Sequence, residues 1–205
     1  GMFRNCTGLT FMAPFQANLI TSIYRAWEGC TSLVNFPAFT FNSINVADRA
    51  WAGCSSLENI GISTFGSQVT FKDSWYECSS IVDFPRIDFT NATDLVNTWR
   101  ECSSMKTWDG INTGNVETMK HCWYNCSSLL EQKWIDLSSC RYLDGAWKRC
   151  TSLTGFPSLD FPEAEYMEGV LMDCSNITAI QDWHTPKALH ASHSFTECTS
   201  LVCFS

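Results

Sequence analysis

Apolar and polar positions follow a pattern that switches period within each short stretch of the chain. The segment FPRIDFTNATDLVNTWREC, Phe84 to Cys102, shows it. Phe84, Ile87 and Phe89 lie in a short extended stretch that contains Pro85. Thr90 and Asn91 then form a helix N-cap signal. Ala92, Leu95, Thr98, Trp99 and Cys102 follow at the i, i+3, i+6, i+7, i+10 spacing of one helical stripe. The pattern predicts a short strand, a turn and about two to three helical turns. Cys102 would stand at the helix exit, and Ser103-Ser104 would begin the return to the next strand.

The same pattern recurs along the whole chain. Cys6, Cys30, Cys54, Cys78, Cys102, Cys126, Cys150, Cys174 and Cys198 are each 24 residues apart, with no insertion. Three residues before them stand Phe3, Trp27, Trp51, Trp75, Trp99, Trp123, Trp147, Leu171 and Phe195. A Ser or Thr follows every cysteine of the series, and an apolar residue stands three positions after it, from Leu9 to Leu201. One such repeat cannot bury its apolar face alone, whereas a stack of them can. The expected fold is therefore an α/β solenoid with one short parallel strand and one short helix per 24-residue repeat. It would be a single array over residues 1–205, about eight and a half repeats long. Trp27, Trp51, Trp75, Trp99, Trp123 and Trp147 would form a buried ladder beside Cys30, Cys54, Cys78, Cys102, Cys126 and Cys150.

Composition narrows the function. Charged residues are 17%, hydrophobic residues 45% and the net charge −8, which describes a chain that buries a core and repels phosphates. Nucleic acid is an unfavourable partner. No stretch approaches the ~20 apolar residues of a membrane helix, so membrane insertion is not expected. Gly1 ahead of Met2 has the look of an expression remnant, and neither end carries an atypical capping repeat. The chain thus reads as a piece of a longer array whose exposed strand edges would favour end-to-end self-association.

In the copy around Trp75, the residues Trp75, Cys78, Ser79, Ser80, Ile81, Phe84, Pro85, Ile87 and Asp88 spell W-x-x-C-S-S-I-x-x-F-P-x-I-D. This motif resembles the leucine-rich-repeat surface proteins of the BspA type, in their 24-residue W/F-x-x-C-S-S-L variety, found in bacterial surface proteins and phage-encoded ones. The resemblance covers essentially the whole chain. It implies a leucine-rich-repeat solenoid, a role in adhesion or recognition at a cell or virion surface, and no catalytic residues. The repeat with Leu171, Asn176 and His184 at motif positions departs most.

The reactive residue types fit a scaffold. Parallel cysteines at ~4.8 Å strand spacing are slightly too far apart and wrongly aimed for disulfides. A straight column also does not converge on a tetrahedral zinc. The expectation is free thiols packing as small apolar groups, including Cys122, Cys126 and Cys140. No His or acid recurs in phase with the Ser/Thr columns, so no triad assembles, and nothing calls for a cofactor or metal. Thr40, Thr64, Asp88, Asn112, Asp136, Asp160 and His184, ten positions after the cysteines, read as turn caps, with a cation as the alternative. His184, His190 and His193 read as solvated, the last two on one helical face.

What varies between copies is the flank of the predicted strand. Val82, Asp83, Pro85, Arg86 and Asp88 of one repeat become Lys106, Thr107, Asp109, Gly110 and Asn112 in the next, then Leu130, Glu131, Lys133, Trp134 and Asp136. A fixed scaffold with a variable outer face suits binding of a protein or glycan. Asp83, Arg86, Asp88, Lys106, Asp109, Asn112, Glu131, Lys133, Trp134 and Asp136 are the candidate contact residues, with Trp134 as aromatic anchor. The competing expectation is a structural spacer in a surface or virion protein. The ladder itself is testable: Trp99→Ala should cost about 3–5 kcal/mol in urea unfolding. Hydrogen exchange should show the loss first in the adjoining repeats.

Overall fold

A computed structural model describes residues 1–15, 17–61, 64–66, 69–109 and 112–204. Consecutive repeats pair in parallel with a register of 24 residues. Asn35–Phe36 pairs with Asn59–Ile60, and Asp83–Phe84 with Thr107–Trp108. Gly155–Phe156, Ala179–Ile180 and Cys203–Phe204 form a three-stranded sheet on the same side. A second ladder pairs Thr40–Phe41 with Thr64–Phe65. A third runs through single bridges from Ser22 to Val46 and Thr70, and from Asp94 through Thr118, Tyr142 and Tyr166 to His190. These strands are two or three residues long because each corner of the coil must turn within a few residues.

The expected helix is absent: among the described residues there is none, and the α/β assignment is corrected to stacked turns and short parallel strands. The backbone shows why. Every residue immediately before a column cysteine, from Asn5 to Glu197, has φ between 57° and 73°. A second residue, five before the cysteine, is also left-handed: Arg25, Arg49, Asp73, Asn97, His121, Gly145, Gly169 and His193. Two left-handed residues four apart cannot belong to a right-handed helix. The amides are also divided differently. Phe71, Asp73, Trp75 and Glu77 donate to the carbonyls of Asp94, Val96, Thr98 and Arg100 in the next repeat. Between them, Ser74, Tyr76 and Cys78 close turns onto residues three back. Every second amide is thus used between repeats, which leaves none of the i to i−4 bonding a helix needs. The apparent N-cap Thr90-Asn91 leads instead into the strand Ala92–Asp94, and His190 and His193 share no helical face. No helix among the described residues is long and apolar enough to cross a membrane.

The core lies inside this coil. Trp27, Trp51, Trp75, Trp99, Trp123 and Trp147 stack along it, with centroids 5.1–6.1 Å apart and planes within 13° of parallel. Phe36 and Phe84 wedge T-shaped between successive tryptophans. The indole of Trp147 donates to Gln132 Oε1, and that of Trp27 to Met12 Sδ at 2.9 Å. This explains Gln132, the one polar side chain in a column that otherwise holds Phe, Ile, Met or Trp. Where Leu171 interrupts the stack, Trp183 packs against Phe156, Phe161 and Phe195.

Each buried cysteine of the 24-residue series has a specific partner. Its Sγ–H donates to the carbonyl of the preceding repeat's column aromatic: Cys54 to Trp27, Cys78 to Trp51, Cys102 to Trp75 and Cys126 to Trp99, all at 3.1 Å. Cys30 reaches Phe3 and Cys150 reaches Trp123 in the same way. The next hydroxyls, Ser79, Ser127 and Thr151, cap carbonyls 24 residues back. The thiols form no disulfide; Cys6 and Cys203 are exposed, Cys198 is half-buried and the rest are buried. Burial pushes the Cys54 and Cys140 thiols up to about 12.

Two measurements follow from this backbone. In a helix, Gly53→Ala would stabilise by about 0.8–1.0 kcal/mol. Here φ at Gly53 is 72° and a Cβ would meet nothing closer than 3.8 Å. The substitution should therefore destabilise by about 1–2 kcal/mol through backbone strain alone, read from denaturant midpoints. For the thiols, Cys6 and Cys203 should react at once with a thiol reagent in the native protein and Cys198 slowly, against 12 after unfolding. Because the folded thiols are raised above 9.0, their stabilising contribution is intact below that pH. It is lost as pH climbs from 9.0 toward about 12, so the melting temperature should hold to about pH 9 and then fall.

Candidate functional site

The variable residues are placed by the first ladder and the turn that follows it. In the first ladder, side chains alternate with the strand period, so Phe84 and Trp108 turn inward while Asp83 turns out. Val82, Asp83, Arg86 and Asp88 are exposed, as are Lys106, Asp109 and Asn112, and Leu130, Glu131 and Trp134. Lys133 and Asp136 are half-buried. Gly110 lies outside the described residues. The ten candidates therefore share the outer side of three consecutive repeats, although they do not converge on one cavity.

Their local bonds separate framework from free groups. Asp88, Asn112 and Asp136 each accept the amide two residues on, from Thr90, Gly114 and Ser138. These are turn-capping bonds. The bonds from Thr90 hold the Asp88 carboxyl below its ordinary value of 3.8. Among the described residues no group of three or more His, Cys, Asp or Glu gathers that could hold a metal ion. Asp83 accepts from the Thr107 hydroxyl at 2.5 Å, and Lys133 pairs with Glu131. Arg86, Lys106, Asp109 and Trp134 remain as outward groups.

Trp134 stands apart from the other tryptophans. Trp27, Trp51, Trp75, Trp99, Trp123 and Trp147 are at most 1% exposed, whereas Trp134 is 62% exposed. It is eight positions after Cys126, where other repeats place Ala38, Arg86, Ser158 and Asp182. Nothing in the core requires an aromatic there. Leu130, 48% exposed, and Val82 add apolar surface on the same side.

Elsewhere the outer surface is laced by pairs that follow the 24-residue register. Arg49 pairs with Asp73, Lys120 with Asp144, Arg141 with Glu165 and Lys187 with Glu163. Around Glu28, burial raises the carboxyl, but Arg49, Arg25 and Arg4 outweigh it and hold it below 4.5. The rings of Tyr142, Tyr166 and His190 stack at 5.1 and 4.8 Å, with Lys120 beside the two tyrosines. Sequence reasoning passed over this stack. Its signal was present in three successive planar residues eight positions before the cysteines.

No protein-family model matches the sequence, and no curated protein matches it. Among solved structures, the fold is similar to that of a leucine-rich repeat protein from Bacteroides ovatus, with a TM-score of 0.54 and 20% identity. The match covers 90% of this chain and 52% of that one, so the chain spans about half the length of that protein. Together with the 24-residue parallel register, this likeness gives the chain a fold of the leucine-rich-repeat type.

Proposed function

We propose that this protein is a non-enzymatic recognition module that binds a protein or glycan through the variable outer side of its first ladder. The observation that carries the reading is Trp134. A large aromatic is held out in water on a scaffold that buries the six stacked tryptophans completely, and it is flanked by residues that change freely from repeat to repeat. Exposed tryptophan of this kind forms hot spots because it brings much contact area with few rotatable bonds. The deeply buried thiols, held protonated at neutral pH, are poor nucleophiles, which favours a non-catalytic role.

The BspA-type resemblance of the repeat motif supports adhesion at a cell or virion surface as the setting. A structural spacer is the competing reading, and the regular ion pairs along the stack are the observation in its favour. The two separate in a screen against immobilised glycans and surface proteins. A recognition module gives at least one specific ligand, and Trp134→Ala weakens it by about tenfold or more. Such a ligand should tolerate Arg141→Ala, which lies on another side. Binding that survives Trp134→Ala, or no ligand at all, favours the spacer.

A further inference from the structure

Five residues before each column cysteine, most repeats carry a side chain on a left-handed residue, among them Arg25, Arg49, Asn97 and His121. Two successive repeats carry glycine there instead, Gly145 and Gly169, with φ of 59° and 58°. Where those side chains are missing, a cleft of about 470 Å3 opens between His121 and His193. Asp144, Glu168, Lys148 and Met172 line it. The His121 ring closes one end so tightly that a Cβ on Gly145 would stand 2.4 Å from its Nδ1. Tyr124 packs edge-on against that ring.

The geometry points to this cleft as a binding site for a neutral, hydroxyl-rich saccharide. It lies in the turn segment, away from the ladder that carries Trp134, and goes beyond the recognition surface proposed above. Other ligand classes fit worse. His121 and His193 are three repeats apart, roughly 14 Å at strand spacing. Two imidazoles on one zinc need nitrogens within about 4 Å. An anion would face the carboxylates of Asp144 and Glu168. A cation gains little, because Asp144 is already paired with Lys120 at 2.9 Å and accepts the Glu168 amide. That leaves the Glu168 carboxylate and the Lys148 ammonium on the lining, and neither forms an ion pair among the described residues. An apolar ligand would find only Met172.

Hydroxyl groups suit this lining. They donate to Glu168 in charge-assisted bonds and accept from Lys148. Burial and the Arg100 charge push His121 below 6.5, which favours the neutral ring; its Nδ1 is buried against Gly145, so only Nε2 is left to meet a hydroxyl. Met172, which lies beside Gly169, offers one apolar contact for a sugar ring's C–H face. Because the His121 ring lies over Gly145, the open length runs from that ring past Gly169 to His193, about two strand spacings or roughly 10 Å, which admits one or two sugar rings.

The test is an amide-resolved NMR titration of the labelled protein with cellobiose, maltose and N,N′-diacetylchitobiose. Lysine methyl ester and inorganic phosphate serve as the cation and anion arms. At least one disaccharide should shift the amides of Gly145, Glu168 and Gly169, with a Kd on the order of 1 mM for so open a site. Glu168→Gln removes the charged acceptor. Gly169→Asn refills the notch with a residue that tolerates positive φ, as Asn97 does in the same column. Each should weaken binding about tenfold or more, whereas Trp134→Ala should bind as the parent does. The proposal is overturned if no disaccharide shifts these amides, if lysine methyl ester or phosphate shifts them instead, or if Glu168→Gln binds unchanged. Should Gly169→Asn fail to fold, Glu168→Gln decides alone, because its carboxylate is exposed. Loss of this site leaves Trp134-dependent capture of a partner intact, so the two readings fail separately.

Discussion

The carbonyl of each stacked tryptophan is the joint between one repeat and the next. Trp75 O accepts the amide of Cys78, which closes its own turn, and the thiol of Cys102, which belongs to the following repeat. A second carbonyl does the same work four positions earlier. There Ser74, Thr98 and Ser194 donate to the carbonyls of Ala47, Phe71 and Met167, again 27 residues back. A buried carbonyl left with a free lone pair costs little, but a buried donor without a partner costs 1–3 kcal/mol or so. Small donors are therefore placed where an acceptor already exists. The geometry tolerates no change of register, because shifting one repeat by a single residue would part thiol from carbonyl and tryptophan from tryptophan. An uninterrupted 24-residue period is the consequence.

This joint also sustains a strained backbone. Left-handed residues such as Arg49, Glu101 and Arg149 each oppose folding by roughly 1–2 kcal/mol. They persist because the turns they make aim every second amide at the neighbouring repeat, and because the turns bury an indole face on each side. Ion pairs between repeats contribute less, since most are solvent-exposed and screened. Stability is consequently carried inside the coil, and the outer positions are released from it. Trp134 and the paired glycines Gly145 and Gly169 use that freedom in opposite ways, one adding a protruding ring and the other removing two side chains.

Much of the architecture is legible in the sequence. The period, the tryptophan and cysteine columns and the inward Leu column follow from residue types at fixed intervals, and from Trp27 to Ile177 those positions are buried. The turn-capping side chains of Asp88, Asn112 and Asp136 were legible too, because an Asx side chain two residues ahead of an amide has one dominant use. The helix was misread for a definite reason. Ala92, Leu95, Thr98, Trp99 and Cys102 do lie on one side, but a series of tight turns stacked on its neighbours also returns a side chain inward every three or four residues. The correcting signal was in the columns one and five before the cysteine. Asn5, Gly29, Gly53, Asn125 and Asp173 in one, and Asp73, Asn97, Gly145 and Gly169 in the other, are the residue types that positive φ favours.

The sequence by itself therefore determined the repeat length, the inside and the outside, because burial depends on which residue types recur. The tertiary structure decided the path between those points. Whether an amide bonds within its own repeat or across to the next depends on a neighbour 23 residues away, which no local pattern contains. The same holds for surface sites. That Gly145 and Gly169 leave one gap, closed by His121 at one end and His193 at the other, follows only when residues 24 apart are set side by side.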